Sequence, residues 1–183
     1  NVLKMKKVIL ALLVAAPMFL FNQVGNAQSH HKKQAATADI VDVAVSSDQL
    51  TTLVAAVKAA DLVATLKSDG PFTVLAPNNQ AFGKIDGEAL ASLLKPENKS
   101  KLAAILTYHV LPVKLSKAEI TGAIKTNGGK LSVTAVSGAK FQVSLSGDNI
   151  IITDAKGGKS AVIAADINAS NGIVHIIDTV IMP

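Results

Sequence analysis

The sequence predicts an α+β domain in which helices come first and strands follow. Between residues 39 and 108, apolar residues recur at helical spacing. From residue 109 onward, apolar and polar residues alternate in short β-branched runs that are separated by glycine-containing turns. Helices and strands segregated in this way are typical of an α+β domain rather than a doubly wound one. No internal repeat is visible, so one copy of one domain is expected.

The first helix is predicted to begin near residue 50. Its apolar face repeats at spacings of three, one and three residues through Leu50, Leu53, Val54 and Val57. Ser47 and Asp48 are its candidate N-caps. A second, short helix is predicted to follow Asp61 and to end near Gly70 and Pro71.

A buried strand and a capped helical turn are predicted next. Phe72–Ala76 is a short apolar run suited to a buried strand, and Pro77 ends it. Asn78 is expected to cap a helical turn that sends Phe82 into the core. Pro96 suits the first turn of a further helix. That helix is expected to face inward through Leu102, Ile105 and Leu106.

The rest of the chain predicts an antiparallel sheet. Alternating or β-branched runs occur at residues 131–135, 141–145, 150–153, 161–167 and 173–181. Asn171 and Gly172 are expected to supply the turn before the last of these strands.

The N-terminal segment predicts export. Residues 1–27 have the form of a signal peptide, with Met5 as its expected start and residues 1–4 upstream of it. Lys6 and Lys7 precede an apolar run, and cleavage is expected after Ala27; a retained anchor is the less favoured alternative. Residues 28–37 are predicted to be a flexible linker, and residues 38–183 to be the folded domain. The mature protein is therefore expected in the periplasm or outside the cell, without a stable membrane span.

Composition excludes several classes of function. There is no cysteine, so disulfides and thiolate chemistry are impossible. The domain is neutral: thirteen lysines remain against thirteen acids once Lys4, Lys6, Lys7, Lys32 and Lys33 are set aside from the eighteen. A neutral domain without arginine is not expected to bind nucleic acid.

No catalytic motif is present. There is no G-x-S-x-G nucleophile elbow, and the Gly157–Ser160 segment reads as a hairpin turn rather than a phosphate-binding loop. His109 and His175 belong to no metal-ligand spacing and are expected to be structural hydrogen-bonding groups, although a functional role stays open, more so for His109. No enzyme activity, catalytic residue, cofactor or metal is therefore predicted.

Two acidic residues also lie in apolar strand-like runs. A buried carboxylate is costly unless it is paired or hydrogen-bonded. Asp166 and Asp178 are therefore expected to accept backbone or hydroxyl hydrogen bonds, with Ser170 and Thr179 as nearby candidates. A ligand contact is the alternative interpretation.

Three stretches together resemble the fasciclin domain. They are Phe72–Phe82, Ile105–Leu111 and Ala165–Asp178, in the order and at the spacing of that family. The resemblance implies a β-wedge of two antiparallel sheets with helices packed around it. It also assigns a structural motif to Phe72, Thr73, Pro77, Asn78, Phe82, Asn171, Gly172, His175 and Asp178.

The resemblance implies an exported cell-adhesion or matrix-binding module whose partner is a surface protein, a matrix protein or a polysaccharide. Binding by animal members implies candidate contacts at Tyr108, His109, Asp166 and Ile167. Ala164 and Ala165 stand where the animal pattern often has a Glu–Pro pair, which argues against integrin binding. The alternative function is a periplasmic protein that binds a small molecule or a metal in a groove between helices and sheet. The oligomeric state stays open.

Overall fold

The structure is a computed structural model that describes residues 38–183. These residues lie within one compact unit and form an α+β fold, as predicted. The predicted signal peptide (residues 1–27) and linker (residues 28–37) lie outside the described residues.

The described residues form seven α-helices and seven strands. The helices are α1 (Ile40–Val45), α2 (Thr51–Ala59), α3 (Val63–Lys67), α4 (Asn79–Gly83), α5 (Gly87–Leu93), α6 (Lys99–Tyr108) and α7 (Lys117–Thr126), with 3₁₀ turns at Asp48–Leu50 and Pro96–Asn98. The strands are β1 (Phe72–Pro77), β2 (Val110–Leu111), β3 (Lys130–Thr134), β4 (Lys140–Ser146), β5 (Asn149–Thr153), β6 (Lys159–Ala169) and β7 (Gly172–Ile177).

Side-chain caps set several helix starts. Asn78 accepts a hydrogen bond from the Ala81 N–H at 2.8 Å, which confirms the predicted cap of α4. The predicted cap of α2 is wrong, because the Ser47 side chain makes no capping bond and a 3₁₀ turn precedes the helix. Helix α7 lies in the half expected to contain only strands, and a capping box of Ser116 and Glu119 begins it.

The expectation of two separate antiparallel sheets is wrong. One mixed sheet has the order β2-β1-β7-β6-β5-β4-β3, and β1 runs parallel to β7. The reason lies in β6, whose eleven residues serve both halves. Its first residues, 159–161, pair with β5, and its residues from Val162 onward pair with β7. A long strand shared in this way joins the two parts into one surface.

The sheet bends until its two edge strands approach each other. Register shifts in the β6–β7 pairing occur between Val162 and Ile167, and such bulges increase the local bend of a strand. Just beyond β3, the Val136 N–H donates to the Val110 carbonyl of β2 at 2.8 Å. The sheet is therefore nearly barrel-like.

The last strand is shorter than predicted, and its turn differs. The two turn residues are Ser170 and Asn171, because Ala169 already pairs with Gly172 across the hairpin. Gly172 begins β7, where a Cβ atom would collide with the Phe72 carbonyl oxygen. Glycine is required here for close packing rather than for turn geometry.

Strands β1 and β7 separate two hydrophobic cores. Both strands are buried on both faces apart from half-buried Phe72. The helix-side core lies against α1 to α6 and includes Leu50, Leu53, Val74, Phe82, Leu102, Leu106 and Val174. The sheet-side core lies against α7 and β3 to β5 and includes Leu75, Tyr108, Ile124, Phe141, Ile150 and Ile177.

Candidate binding surface

Two buried polar side chains hold the loop between β2 and α7, residues 112–116, here called the anchored loop. The Thr73 hydroxyl donates to the Val113 carbonyl at 2.6 Å and accepts from the Leu115 N–H at 2.9 Å. His175 Nε2 lies 2.8 Å from the Leu115 carbonyl. Both side chains are fully buried. The loop backbone is therefore fixed by β1 and β7, two strands distant from it in sequence.

His175 has a defined neutral tautomer. Its Nδ1 accepts the Asp166 N–H at 3.2 Å, so the proton is on Nε2, which donates to Leu115. Burial lowers the pKa of His175, although the Leu115 carbonyl and Asp166 favour the charged form. The ring therefore joins β6 and the anchored loop to β7 through two hydrogen bonds.

Asp166 lies in the β6 bulge in a left-handed backbone conformation, with a φ of 59°. Its side chain is exposed rather than buried, and Oδ1 accepts the Lys117 N–H at 2.7 Å. The expected partner Ser170 makes no such bond to it among the described residues. A carboxylate at the first residue of α7 also meets the positive end of the helix dipole. Asp166 thereby ties the bulge to the end of the anchored loop.

Tyr108 and His109 lie in the interior. Tyr108 is 0% exposed, and its hydroxyl donates to the Lys140 carbonyl at 3.3 Å. Its ring packs edge-on against Phe141 at a centroid distance of 5.6 Å. Burial raises the pKa of the Tyr108 phenol.

His109 is 2% exposed and joins α6 to the C-terminal segment. Nδ1 lies 2.8 Å from the Ile105 carbonyl, and Nε2 accepts the Ile181 N–H at 3.2 Å. Burial lowers the pKa of His109 to about 4. A neutral ring with both nitrogens bonded inside the protein has no free atom to offer a partner.

The four residues with an implied binding role therefore have different positions. Asp166 is exposed, Ile167 is half-buried opposite Val174, and Tyr108 and His109 are buried. A surface that includes Asp166 can be reached from outside. A contact by Tyr108 or His109 would require the fold to open.

The remaining motif residues also make internal contacts. Asn171 accepts the Ile40 N–H and donates to the Leu66 and Ser68 carbonyls, which ties the β6–β7 turn to α1 and α3. Phe82 and Pro77 are buried, and Phe82 belongs to the helix-side core. These positions connect the sheet to the helices packed on it.

Asp178 directly follows β7 and accepts several hydrogen bonds there. Its Oδ1 accepts from the Ala161 N–H at 2.8 Å and from the Thr179 hydroxyl at 3.0 Å, so Thr179 is confirmed as its partner. Burial pushes the pKa of Asp178 upward, but these bonds and the nearby Lys84 ammonium lower it overall. Beyond it, the N–H groups of Thr179, Ile181 and Met182 donate to side chains instead of a neighbouring strand, so β7 stops at Ile177 and not at residue 181.

Sequence reasoning missed the anchored loop and α7. The only local signal was the spacing Ser116-x-x-Glu119 ahead of Ile120 and Ile124, which is a capping box followed by an apolar face. The contacts of Thr73 and His175 with the loop span 42 and 60 residues, and no local pattern indicates them.

Comparison with known proteins identifies the family of this chain. The sequence model of the fasciclin domain matches residues 48–183. The chain belongs to the fasciclin domain family. The matched region contains the anchored loop and every residue of the structural motif.

Two bacterial relatives match most of the chain. Protein sll1483 of Synechocystis sp. is 45% identical over 145 residues, which are 79% of this chain and 73% of that protein. Immunogenic protein MPB70 of Mycobacterium bovis is 35% identical over 156 residues, 82% of this chain and 72% of that protein. A pig relative, transforming growth factor-beta-induced protein ig-h3, is 34% identical over 148 residues. These residues are 80% of this chain but only 20% of the pig protein.

A solved structure shares the fold. It is a FAS1 domain pair from the insect cell adhesion molecule fasciclin I, with a TM-score of 0.72 and 15% sequence identity. The match covers 81% of this chain and 52% of that one, so this chain spans about half of the domain pair.

Among residues 38–183 no helix is both long and apolar enough to cross a membrane. Within the same residues, no group of three or more His, Asp or Glu side chains could hold a metal ion.

Proposed function

We propose that this protein is an exported, non-enzymatic adhesion module that binds a surface or matrix protein or polysaccharide through the anchored loop and Asp166. Membership of the fasciclin family supports the general role, and the solved relative comes from a cell adhesion molecule. The anchored loop is the observation that supports this choice of contact surface.

The anchored loop combines exposed side chains with a fixed backbone. Pro112, Val113 and Lys114 are exposed, and Val113 keeps 40% of its surface open to solvent. Thr73 and His175 hold the backbone beneath them. A loop that is already ordered loses little conformational entropy when it binds, so more of the contact energy appears as affinity.

The surface suits a partner that offers both apolar and charged groups. Val113 offers an apolar contact, Lys114 a cation and Asp166 a carboxylate, and Asp166 faces the start of α7 beside the loop. The rim of a protein interface is polar and solvent-accessible, so exposed charges of both signs beside an apolar side chain are compatible with such a rim. Tyr108 and His109 then act on binding through the fold and do not touch the partner.

The test compares two exposed valines on the same protein. A Val113→Ser, Lys114→Ser double variant is expected to lose at least about tenfold in binding to intact cells of the producing organism and to its extracted matrix. The control is Val45→Ser with Lys101→Ser, because Val45 is 58% exposed and lies on α1. The control is expected to bind like the unaltered protein.

Stability must be measured on the same samples. Because surface substitutions usually change the free energy of unfolding by less than about 0.5 kcal/mol, all variants should have similar unfolding midpoints. Equal binding by the loop variant and the control would refute the anchored loop as the contact surface. Absence of binding by the unaltered protein to every surface and matrix fraction would refute the adhesive role itself.

A further inference from the structure

A cavity of about 60 Å³ lies in the helix-side core between α1, α2, α3, α6 and β1. On the same scale a single water molecule needs about 10–15 Å³, so this space would hold several waters. Two other apolar gaps in the described chain have volumes of only about 10 Å³ each. The difference in size marks this cavity as more than imperfect packing.

The cavity wall gives water little to bind. Its lining is almost wholly aliphatic, with Val41, Leu53, Val57 and Val74 among its buried members. The ring nitrogens of His109, which also lines it, are already bonded to the backbone. An apolar cavity without polar partners stays dry and accepts apolar molecules.

The rim has a different character. Lys58 and Thr65 line the cavity and are exposed, so they mark where it reaches the surface. In the part of the chain that the structure describes, no carboxylate lies within ion-pair distance of Lys58. By contrast, Lys67 on the next helix is held by Asp39 and Asp42, each at 2.9 Å. Lys58 is thus an uncompensated cation beside an apolar space.

From this juxtaposition we propose a binding site for a small amphipathic acid whose aliphatic chain occupies the cavity and whose carboxylate pairs with Lys58. The charge at the rim selects the acidic head, and the aliphatic wall selects the chain. This site is independent of the adhesive role of the anchored loop, which lies on the β2–α7 connection.

A ladder of straight-chain carboxylates tests the chain. Butanoate, hexanoate, octanoate and dodecanoate are titrated into the purified protein, and backbone amide chemical shifts report binding. Each added methylene is expected to tighten binding about fourfold until the cavity is full, after which the affinity levels off. Shifts should concentrate on α1 to α3 and β1.

Two kinds of variant test the site. Ala44→Leu and Val54→Phe add carbon atoms at half-buried lining positions, and each is expected to abolish binding. Lys58→Met is expected to weaken octanoate binding about 2–5-fold and to leave 1-octanol unaffected. Lys101→Met, at an exposed lysine outside the cavity lining, is the matched control and should change neither ligand.

Three results would overturn the proposal. Affinity that rises without a plateau would indicate binding to an open surface instead of a cavity. Undiminished binding by both filled variants would place the ligand elsewhere. Equal loss of octanoate and 1-octanol in Lys58→Met, or no loss at all, would remove the role of the cation. Adhesion measurements on the filled variants keep this outcome separate from the proposed function.

Discussion

The two cores on either side of β1 and β7 differ in how they are packed. The helix-side core is covered by short helices and contains the cavity of about 60 Å³. The sheet-side core is closed by β3 to β5 and α7 and contains a gap of only about 10 Å³. Both cores use the same two strands as their shared wall.

The difference follows from what covers each side. Consecutive strands β3, β4 and β5 are hydrogen-bonded to one another, so their apolar residues arrive in register and interlock. Helices α1 to α3 are five to nine residues long and are joined by short turns, which leaves gaps between their apolar faces. The sheet side therefore supplies rigidity, and the helix side retains room for a ligand.

The largest expected effects are aromatic truncations in the two cores. Phe82→Ala on the helix side and Phe141→Ala on the sheet side should each lower the free energy of unfolding by about 3–5 kcal/mol. Phe82 is 5% exposed and Phe141 is 2% exposed. Urea unfolding measures both. Because the sheet side is packed more tightly, Phe141→Ala is expected to lower the free energy of unfolding more than Phe82→Ala does. A loss below about 1 kcal/mol for either variant would mean that the side chain is not in a core.

The second expected effect is acid destabilisation through His109. Its pKa of about 4 in the folded protein lies below the usual 6.5, so the unfolded chain takes up the proton first as the pH falls. The contribution is complete above about pH 6.5 and is lost between pH 6.5 and 4, by roughly 3 kcal/mol. His175, whose pKa burial also lowers, acts in the same direction.

Urea unfolding at several pH values between 7 and 4 measures this loss. A His109→Gln variant should show a shallower pH dependence of the free energy of unfolding over that range. A His175→Gln variant should also reduce this pH dependence, but by less. An unchanged slope in His109→Gln would assign the acid sensitivity between pH 7 and 4 to groups other than His109. Asp39 and Asp178, whose pKa values are lowered, lose their contribution to stability only at lower pH.

The third prediction is that enlarging an alanine changes the free energy of unfolding in opposite directions in the two cores. Ala44→Leu fills the helix-side cavity and should raise the free energy of unfolding by about 0.5–1 kcal/mol. Ala135→Leu adds the same atoms to the sheet-side core, where Ala135 is 3% exposed, and should lower it by about 1–3 kcal/mol. Thermal and urea unfolding of both variants give the signs. Destabilisation by both would show that the two cores are equally well packed.

The smallest expected effect is at a single hydroxyl inside the sheet-side core. Tyr108→Phe removes only the hydroxyl, whose hydrogen bond to the Lys140 carbonyl is long at 3.3 Å. The expected cost is about 1 kcal/mol or less, since the ring and its contact with Phe141 remain. The same samples should bind cells like the unaltered protein. Loss of binding at an unchanged unfolding midpoint would make Tyr108 a contact residue.

Local patterns in the sequence determined much of this protein. Helical spacing placed α2, the apolar run Phe72–Ala76 placed β1, and Asn78 identified the start of α4. The three family motifs, in order, established the fold family. Such features depend on residues a few positions apart, so one sequence is enough to indicate them.

Tertiary structure alone decided the joining of the sheet and the surface of the anchored loop. One sheet forms because β6 pairs on both sides, a choice that depends on strands distant in sequence. Thr73 and His175 have unremarkable apolar neighbours, and only the parallel pairing of β1 with β7 brings both beneath the anchored loop. A hydrogen bond needs its partners in space, and the sequence separates these by 40 residues or more.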